Sequence, residues 1–279
     1  MSDFLATMAR ESRSRVSDAR RREPEGALHS RALETPRPPR LLLDAGFDVI
    51  AEIKRRAPSA GSLSPSPRAG LAAGRARAYA RGGATAISVL TEPSRFGGSL
   101  ADLEGAAGAT GVPAMRKDFL VDPYQLLEAR AAGAGGALLI VRLVEDAVLV
   151  EMLEAAAGLG LFVLLESFAE PDLERIGFLL PRAKALGLDV LVGVNARDLT
   201  SLEVNPTRLA ELAASLPSGV PCVAESGLTT PGDIRGVASR GYRLALVGSA
   251  LMRSADPSGL TAELVAAGRE EALRSCASE

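Results

Sequence analysis

The chain has 279 residues and a mass of 28.9 kDa, which is enough to bury one large α/β core or two smaller ones. Its 32 Lys and Arg residues against 34 Asp and Glu residues leave a formal net charge of -2, which excludes the strongly basic surface of proteins that bind nucleic acid or acidic lipid through charge. The most apolar run, 137–141, is broken by Arg142 and is far shorter than the ~20 residues of a membrane helix, so we expect a small-molecule ligand and neither a nucleic-acid nor a membrane partner.

Residues 1–46 are predicted to form a helical extension and a linker. Phe4, Leu5, Met8 and Val16 recur at roughly helical spacing among Arg and Ser residues, which predicts an amphipathic helix that ends before the proline-rich stretch 35–39. The segment lacks the apolar core and the cleavage site of a signal peptide, so we expect no export.

Cysteine and histidine are scarce. Cys222 and Cys276 lie far apart and form no CxxC motif, which argues against a disulfide framework and favours the cytoplasm. The single histidine, His29, lies in the extension and is expected to be an exposed linker residue. Because no second histidine is present, His-based catalytic triads and the common zinc sites are excluded. Acid-base chemistry must then fall to lysines and carboxylates.

From residue 47 onward, β-rich runs alternate with helical runs rich in Ala, Leu and Arg at intervals of about 25 to 35 residues, the spacing of βα units in a parallel sheet. No GxGxxG or GxxxxGK[ST] motif follows the first strand, which argues against an open, nucleotide-binding sheet. We therefore predict a single (β/α)8 TIM barrel domain over residues 1–279, with an extra N-terminal helix. The eight predicted strands are 47–54, 84–90, 113–117, 136–141, 161–166, 190–195, 220–225 and 244–247.

Four helix starts are signalled by an Asp, Asn or Thr directly before a proline. The polar side chain can cap the helix, and proline at the first helical position loses no hydrogen bond. The prolines are Pro123, Pro206, Pro231 and Pro257.

Five of the predicted strands end in charged or amide residues. An ionisable group at the end of a buried strand costs free energy unless it is paired, and the carboxyl ends of barrel strands meet at one face. A ring of lysines and glutamates there would shift each other's pKa values toward the working range of acid-base catalysis. The alternative is a set of salt bridges that only closes the barrel. The residues are Glu52, Lys54, Lys117, Glu166, Asn195 and Glu225.

Small residues after the last two strands predict a phosphate site. Ser226 and Gly227 follow strand seven, and Gly248 and Ser249 follow strand eight, where barrels often bind phosphate through backbone N–H groups. Two ordinary turns are the alternative.

Two aromatic residues follow strands two and three at the same end of the barrel. Phe96 and Phe119 would form an apolar wall if the ligand carries a ring, or else they are core residues folded over the barrel.

Five motifs, in order and at the right barrel positions, resemble the signature strands of indole-3-glycerol phosphate synthases. The resemblance runs from the leading helix to about residue 253. The motifs are AEIKRRAPSAG at 51–61, SVLTE at 88–92, MRKDFLVDPYQ at 115–125, NARDL at 195–199 and AESG at 224–227.

The resemblance implies ring closure of 1-(2-carboxyphenylamino)-1-deoxyribulose 5-phosphate, with loss of carbon dioxide and water, to indole-3-glycerol phosphate in tryptophan biosynthesis. It implies no metal and no organic cofactor. Lys117 is expected to be the general acid on the ketone oxygen, and Lys54 to pair with the substrate carboxylate or phosphate. Glu52 and Glu166 would stabilise the cationic intermediate, and one of them would remove a proton. Asn195 would hold a hydroxyl or orient Glu166.

The resemblance also implies a set of binding residues. Glu225 and Ser226 are expected to bind a substrate hydroxyl and the phosphate, and Ser59 and Arg197 to contact the substrate. The remaining expected contacts are phosphate at Gly227, Gly248 and Ser249 and the aromatic ring at Phe96 and Phe119.

Three departures from the family pattern stand out. Ala57 replaces a usual serine in the first loop, and Ala196 replaces a polar residue whose side chain should point away from the pocket. The interval between Glu166 and Asn195 is several residues longer than usual, and the extra length is placed around 177–188, on the face opposite the chemistry.

Three other readings compete with this one. A phosphoribosylanthranilate isomerase would share the phosphate site but not the Glu52 and Lys54 pair or the Arg-Lys-Asp-Phe run. A silent barrel should have lost one of Lys54, Lys117 or Glu166. A Schiff-base aldolase would use Lys117 as its nucleophile. For assembly we expect a monomer or a weak homodimer.

Overall fold

The computed structural model describes residues 3–44, 46–57, 61–62, 70–198 and 201–276. The chain opens with two helices, α1 (Asp3–Arg22) and α2 (Glu25–Glu34), where one was expected. Pro24 separates them, because proline has no N–H for the helical ladder and its ring clashes with the preceding turn. His29 is exposed, as predicted, but it lies within α2 rather than in a linker.

Eight parallel strands form a closed barrel in chain order, in which β1 pairs with both β2 and β8. The predicted (β/α)8 TIM barrel is therefore confirmed, and each strand lies within two residues of its predicted bounds or inside them. The strands are β1 (Asp48–Ile53), β2 (Ala86–Leu90), β3 (Ala114–Lys117), β4 (Gly136–Ile140), β5 (Phe162–Ser167), β6 (Val190–Asn195), β7 (Cys222–Glu225) and β8 (Leu244–Val247).

The barrel strands are apolar along both faces because helices cover the outside and side chains fill the inside. Every residue of β1, β2, β4, β5, β7 and β8 is buried. A short antiparallel hairpin, in which Arg56–Ala57 pairs with Gly61–Ser62, follows β1 outside the barrel.

Ten further helices follow along the described part of the chain after β1, with two 3-10 turns. No helix in the described ranges is both long and apolar enough to cross a membrane. The helices are α3 (Leu71–Arg81), α4 (Pro93–Phe96), α5 (Leu100–Ala107), α6 (Tyr124–Ala131), α7 (Asp146–Leu159), α8 (Glu170–Ala185), α9 (Arg208–Glu211), α10 (Pro231–Ala238), α11 (Ser249–Arg253) and α12 (Pro257–Cys276), and the turns are Val141–Leu143 and Ala213–Ser215.

Three of the four predicted helix starts agree with the structure, since α6, α10 and α12 begin at the proline or one residue after it. The prediction at Pro206 is wrong, because α9 begins only at Arg208. Asn205 Oδ1 accepts hydrogen bonds from the backbone N–H and the hydroxyl of Thr207. This local turn satisfies the groups that a helix start would use, and it delays the helix.

Residues 177–188, where the extra length between Glu166 and Asn195 is predicted, lie in the second half of α8 and in the turn after it. Because α8 follows the carboxyl end of β5, its last residues lie at the opposite end of the barrel, as expected. Gly187, at a φ of 65°, turns the chain back toward β6. Phe178 of this helix is 85% exposed.

Candidate active site

The carboxyl ends of the strands surround a cavity of about 290 Å³. Its lining includes every predicted site residue that lies within the described part of the chain. Ser59 lies outside the described residues. Because these side chains come from strand ends that are distant in sequence, the barrel is what brings them together.

Lys117, at the end of β3, lies between two glutamates. Its Nζ is 2.8 Å from Glu166 Oε1 and 3.2 Å from Glu225 Oε2. The Asn195 side-chain amide donates to the same Glu166 oxygen at 3.0 Å and so holds that carboxylate in place. Four strands, β3, β5, β6 and β7, therefore contribute one residue each to a single hydrogen-bonded cluster.

The Lys117 ammonium is stabilised by its surroundings. Burial lowers the pKa of Lys117, but the carboxyls of Glu166, Glu225 and Glu52 outweigh this effect and raise it above its usual value. Lys117 is thus a protonated donor that faces the cavity.

The surroundings of Glu225 favour its neutral form. Burial raises the pKa of Glu225 to about 8, and the neighbouring Glu166 carboxylate adds to the rise while Lys117 opposes it. Its Oε1 atom has no hydrogen-bond partner among the described residues. A Cβ at position 193 would overlap this oxygen, so Gly193 is needed to make room for the carboxyl group.

A second lysine–glutamate pair lies at the end of β1. Lys54 Nζ is 2.5 Å from Glu52 Oε1, and both residues line the cavity. A Cβ at position 248 would overlap Glu52 Oε1 and lie 2.9 Å from Lys54 Nζ. Gly248 therefore provides the space in which this pair sits, in addition to any contact with phosphate.

Phe96 and Phe119 form one side of the cavity, with ring centroids 6.4 Å apart. Phe4 of α1 packs its ring edge against Phe119 at 5.8 Å. Phe96 ends α4, and its backbone N–H donates to the Glu92 carboxylate that caps this helix. The N-terminal extension thus contacts the aromatic wall directly, and no local pattern in the sequence predicts this contact.

Arg15 of α1 joins the loops that carry the two phenylalanines. Its guanidinium is 2.8 Å from Asp118 Oδ1 and 3.7 Å from Glu92 Oε1. Asp118 directly follows Lys117 and accepts a hydrogen bond from the Phe119 N–H. No local signal marks Arg15, because its partners are contributed by distant parts of the chain.

Arg197, in the loop after β6, lines the cavity. Burial lowers its pKa, and the Glu52 carboxylate partly offsets this. The Arg197 guanidinium donates to the Leu202 carbonyl at 2.6 Å, and the backbone N–H of Arg197 donates to Asn195 Oδ1 at 2.9 Å. Part of its role is therefore to shape its own loop.

The loop after β7 turns sharply toward the cavity. Ser226 and Gly227 both have left-handed backbone, with φ values of 69° and 80°. This conformation is costly for serine and is retained where the surroundings demand it.

Several cavity residues were not predicted. Arg253 is the clearest omission, because it lies one helical turn after Ser249 and adds a cation at the predicted phosphate end. The other unpredicted lining residues are Leu90, Asp118, Leu138, Ile140, Val204, Leu228, Thr229 and Leu246.

No group of three or more His, Cys, Asp or Glu side chains in the described part of the chain is placed to hold a metal ion.

Comparison with known proteins shows the family of the chain. Residues 5–264 match the family model described as indole-3-glycerol phosphate synthase. Proteins of that name are similar to this chain: one from Mycobacterium ulcerans is 46% identical over 81% of this chain and 79% of its own length, and one from Nocardioides sp. is 48% identical over 77% and 78%. A solved thiamine phosphate pyrophosphorylase from Pyrococcus furiosus shares the fold, with a TM-score of 0.55 and 20% identity over 81% of this chain and 96% of that one. The chain therefore belongs to the indole-3-glycerol phosphate synthase family.

Proposed function

We propose that this chain closes the ring of 1-(2-carboxyphenylamino)-1-deoxyribulose 5-phosphate to give indole-3-glycerol phosphate. The observation that carries the proposal is the Lys117 ammonium, which is held between Glu166 and Glu225 at the centre of the cavity. The substrate carries a phosphate, a ketone and an aromatic carboxylate. The cavity offers a matching group for each.

The substrate is placed by its two ends. Gly227, Gly248 and Ser249 lie at the ends of β7 and β8, where (β/α)8 barrels commonly bind phosphate. Arg253 adds a positive charge at that end. The aromatic ring then lies against the wall made by Phe96 and Phe119, and its carboxylate lies toward Lys54. In this orientation the ketone faces Lys117.

The first chemical step needs an acid. Lys117 donates its proton to the ketone oxygen as the ring carbon attacks the ketone carbon, so that no free alkoxide forms. The Glu52 and Glu166 carboxylates stabilise the positive charge that develops on the substrate. Because they are already in position, little reorganisation is needed at the moment of reaction. Loss of carbon dioxide restores the benzene ring, and loss of water completes the indole.

The last step needs a base, and Glu52 and Glu166 both face the cavity. Glu166 Oε1 already accepts hydrogen bonds from Lys117 and Asn195. Among the described residues, Glu52 Oε1 is paired with Lys54. One of the two removes the proton, and comparison of Glu52→Gln with Glu166→Gln in the dehydration step would identify it.

The direct test is the fluorescence of the indole product when the purified protein meets this substrate. The wild type should turn over, and Lys117→Met should lose about 100-fold or more in kcat, as expected for removal of a general acid. Lys184→Met is a matched control, because Lys184 is exposed on α8. A folded wild type that binds the substrate without forming indole would contradict the proposal.

A Schiff-base mechanism at Lys117 is a weaker alternative. An amine nucleophile must be neutral, whereas the carboxyls around Lys117 raise its pKa and keep it charged. Borohydride should therefore trap no covalent adduct with the substrate.

We further propose that the enzyme acts in the cytoplasm as one catalytic unit over residues 1–279, as a monomer or a weak homodimer. Cys222 is a free, buried thiol, which suits a reducing compartment. The large apolar side chains exposed on the described surface are few. Light scattering across a range of concentrations would give the oligomeric state.

A further inference from the structure

Glu225 is built into the barrel in a way that a simple substrate contact does not require. Its Oε2 lies 3.2 Å from Lys117 Nζ, while Oε1 meets no donor in the described part of the chain. The recess that holds Oε1 exists because position 193 is glycine, and the side chain of Leu164 borders the same place. The recess removes the hydration of Oε1 and, within the described residues, supplies no donor to replace it, which disfavours the ionised form.

The neighbouring carboxyl points to the same conclusion. Lys117 Nζ lies 2.8 Å from Glu166 Oε1 and 3.2 Å from Glu225 Oε2, and one ammonium ion can neutralise only one of these two buried carboxyls. Glu166 is the one that accepts from both Lys117 and Asn195, which favours its ionised form. Burial also raises the pKa of Glu225. The proton of the pair therefore belongs on Glu225.

The reaction creates a need for such a proton. Oxygen leaves the substrate as water, so the former ketone oxygen must receive two protons in one turnover. Lys117 holds only one that it can transfer. Once it has protonated the ketone, it is a neutral amine and cannot assist departure of the hydroxyl group.

We propose that Glu225 is kept as a neutral carboxylic acid and recharges Lys117 between ring closure and dehydration; this inference rests on the proposed function. In the first transfer, the Lys117 N–H bond breaks and the substrate O–H bond forms. The Glu225 acid then gives its proton to the Lys117 amine, and the ammonium protonates the hydroxyl group, which leaves as water with the C–O electron pair.

The proton balance closes over the cycle. Lys117 and Glu225 each lose one proton to the departing water. One proton returns from the substrate when the pocket carboxylate removes it to form the indole double bond, and solvent supplies the other. Glu225 acts through Lys117 and does not need to touch the substrate.

The kinetic test uses Glu225→Gln, which keeps the size of the side chain but has no proton to transfer. In a single turnover, carbon dioxide release should stay within about threefold of the wild-type rate, since ring closure needs only the Lys117 proton. Formation of the indole fluorophore should slow by about 100-fold, the usual range for loss of one acid. Equal slowing of both signals, or a rise in KM alone, would overturn the relay and leave Glu225 as a positioning or hydroxyl-binding residue.

A second measurement does not depend on turnover. The infrared C=O stretch of a neutral carboxyl should be present in the free wild type at pH 7, disappear as the pH is raised above 8, and be absent from Glu225→Gln. Glu52→Gln should retain the band, because Glu52 is paired with Lys54. Absence of the band from the wild type would overturn the proposal. If the band is present but the wild type forms no indole, the proposed function fails and the relay has no reaction to serve.

Discussion

Replacing Lys117 with methionine should destabilise the fold in a way that depends on pH. The change removes the counter-ion of Glu166, whose side chain is only 3% exposed. Breaking a buried ion pair by removing one partner typically costs about 3–5 kcal/mol, and we expect the lower end because the Lys117 side chain is 15% exposed. This is a large part of the ~5–15 kcal/mol by which a domain is usually stable.

The pH dependence follows from the fate of Glu166. Without the ammonium nearby, the buried Glu166 carboxylate has no counter-ion, whereas the neutral carboxyl that forms at low pH needs none. A carboxyl with a raised folded pKa contributes its full stability at low pH and loses it as the pH rises through that pKa. One proton changes the free energy of unfolding by about 1.4 kcal/mol per pH unit, so a loss of ~3 kcal/mol develops over roughly two pH units.

Urea unfolding at pH 5 and pH 8 would measure this effect. Lys117→Met should lie close to the wild type at pH 5 and about 3 kcal/mol below it at pH 8. Lys184→Met, on the exposed face of α8, should stay within about 0.5 kcal/mol at both values. A loss of the same size at both pH values would refute the reasoning, because it would show that the burial of Glu166 does not set the cost.

Three other substitutions follow from the contacts around the cavity. Gly248→Ala should lower kcat by about tenfold or more while the fold loses about 1–3 kcal/mol, because the new Cβ displaces the Glu52 carboxylate; steady-state kinetics with a thermal melt would check both. Arg253→Ala should raise KM for the phosphorylated substrate about tenfold with kcat nearly unchanged, and KM should rise less for a substrate that lacks the phosphate. Arg15→Ala should cost about 1–3 kcal/mol in urea unfolding, since it leaves the buried Asp118 carboxylate short of a partner; Arg15→Lys should restore part of that stability.

The barrel could be predicted because its parallel strands are buried on both faces, so that the sequence of each strand is a continuous apolar run. The row of polar side chains that lines the cavity could be predicted for a related reason, since Glu52, Lys117 and Glu166 interrupt such runs at the point where each strand ends. Charges at these positions are too costly to be accidental unless they face a shared polar space. Phe96 and Phe119 line the same cavity, and the part they play in binding stays a prediction.

What could not be predicted depends on contacts between distant residues. Arg15 contacts Asp118 across 103 positions, and nothing near either residue indicates the pairing. The role of Gly193 can be recognised only once the position of the Glu225 side chain is known. The glycine matters because a Cβ at position 193 would overlap Glu225 Oε1. The missed delay of α9 has a local cause, in that the Asn205 side chain formed a turn where a helix cap was expected.

The contact of α1 with the loops after β2 and β3 also has a consequence for biosynthesis. The apolar face of α1, which includes Leu5 and Met8, leaves the ribosome long before the partners that cover it. At about 5–20 residues per second, the ~100 residues in between take roughly 5–20 s to synthesise. During that interval the apolar face of α1 has not yet met the residues that cover it in the folded protein. The barrel closes later still, because β1 pairs with β8, which is the last strand to be synthesised.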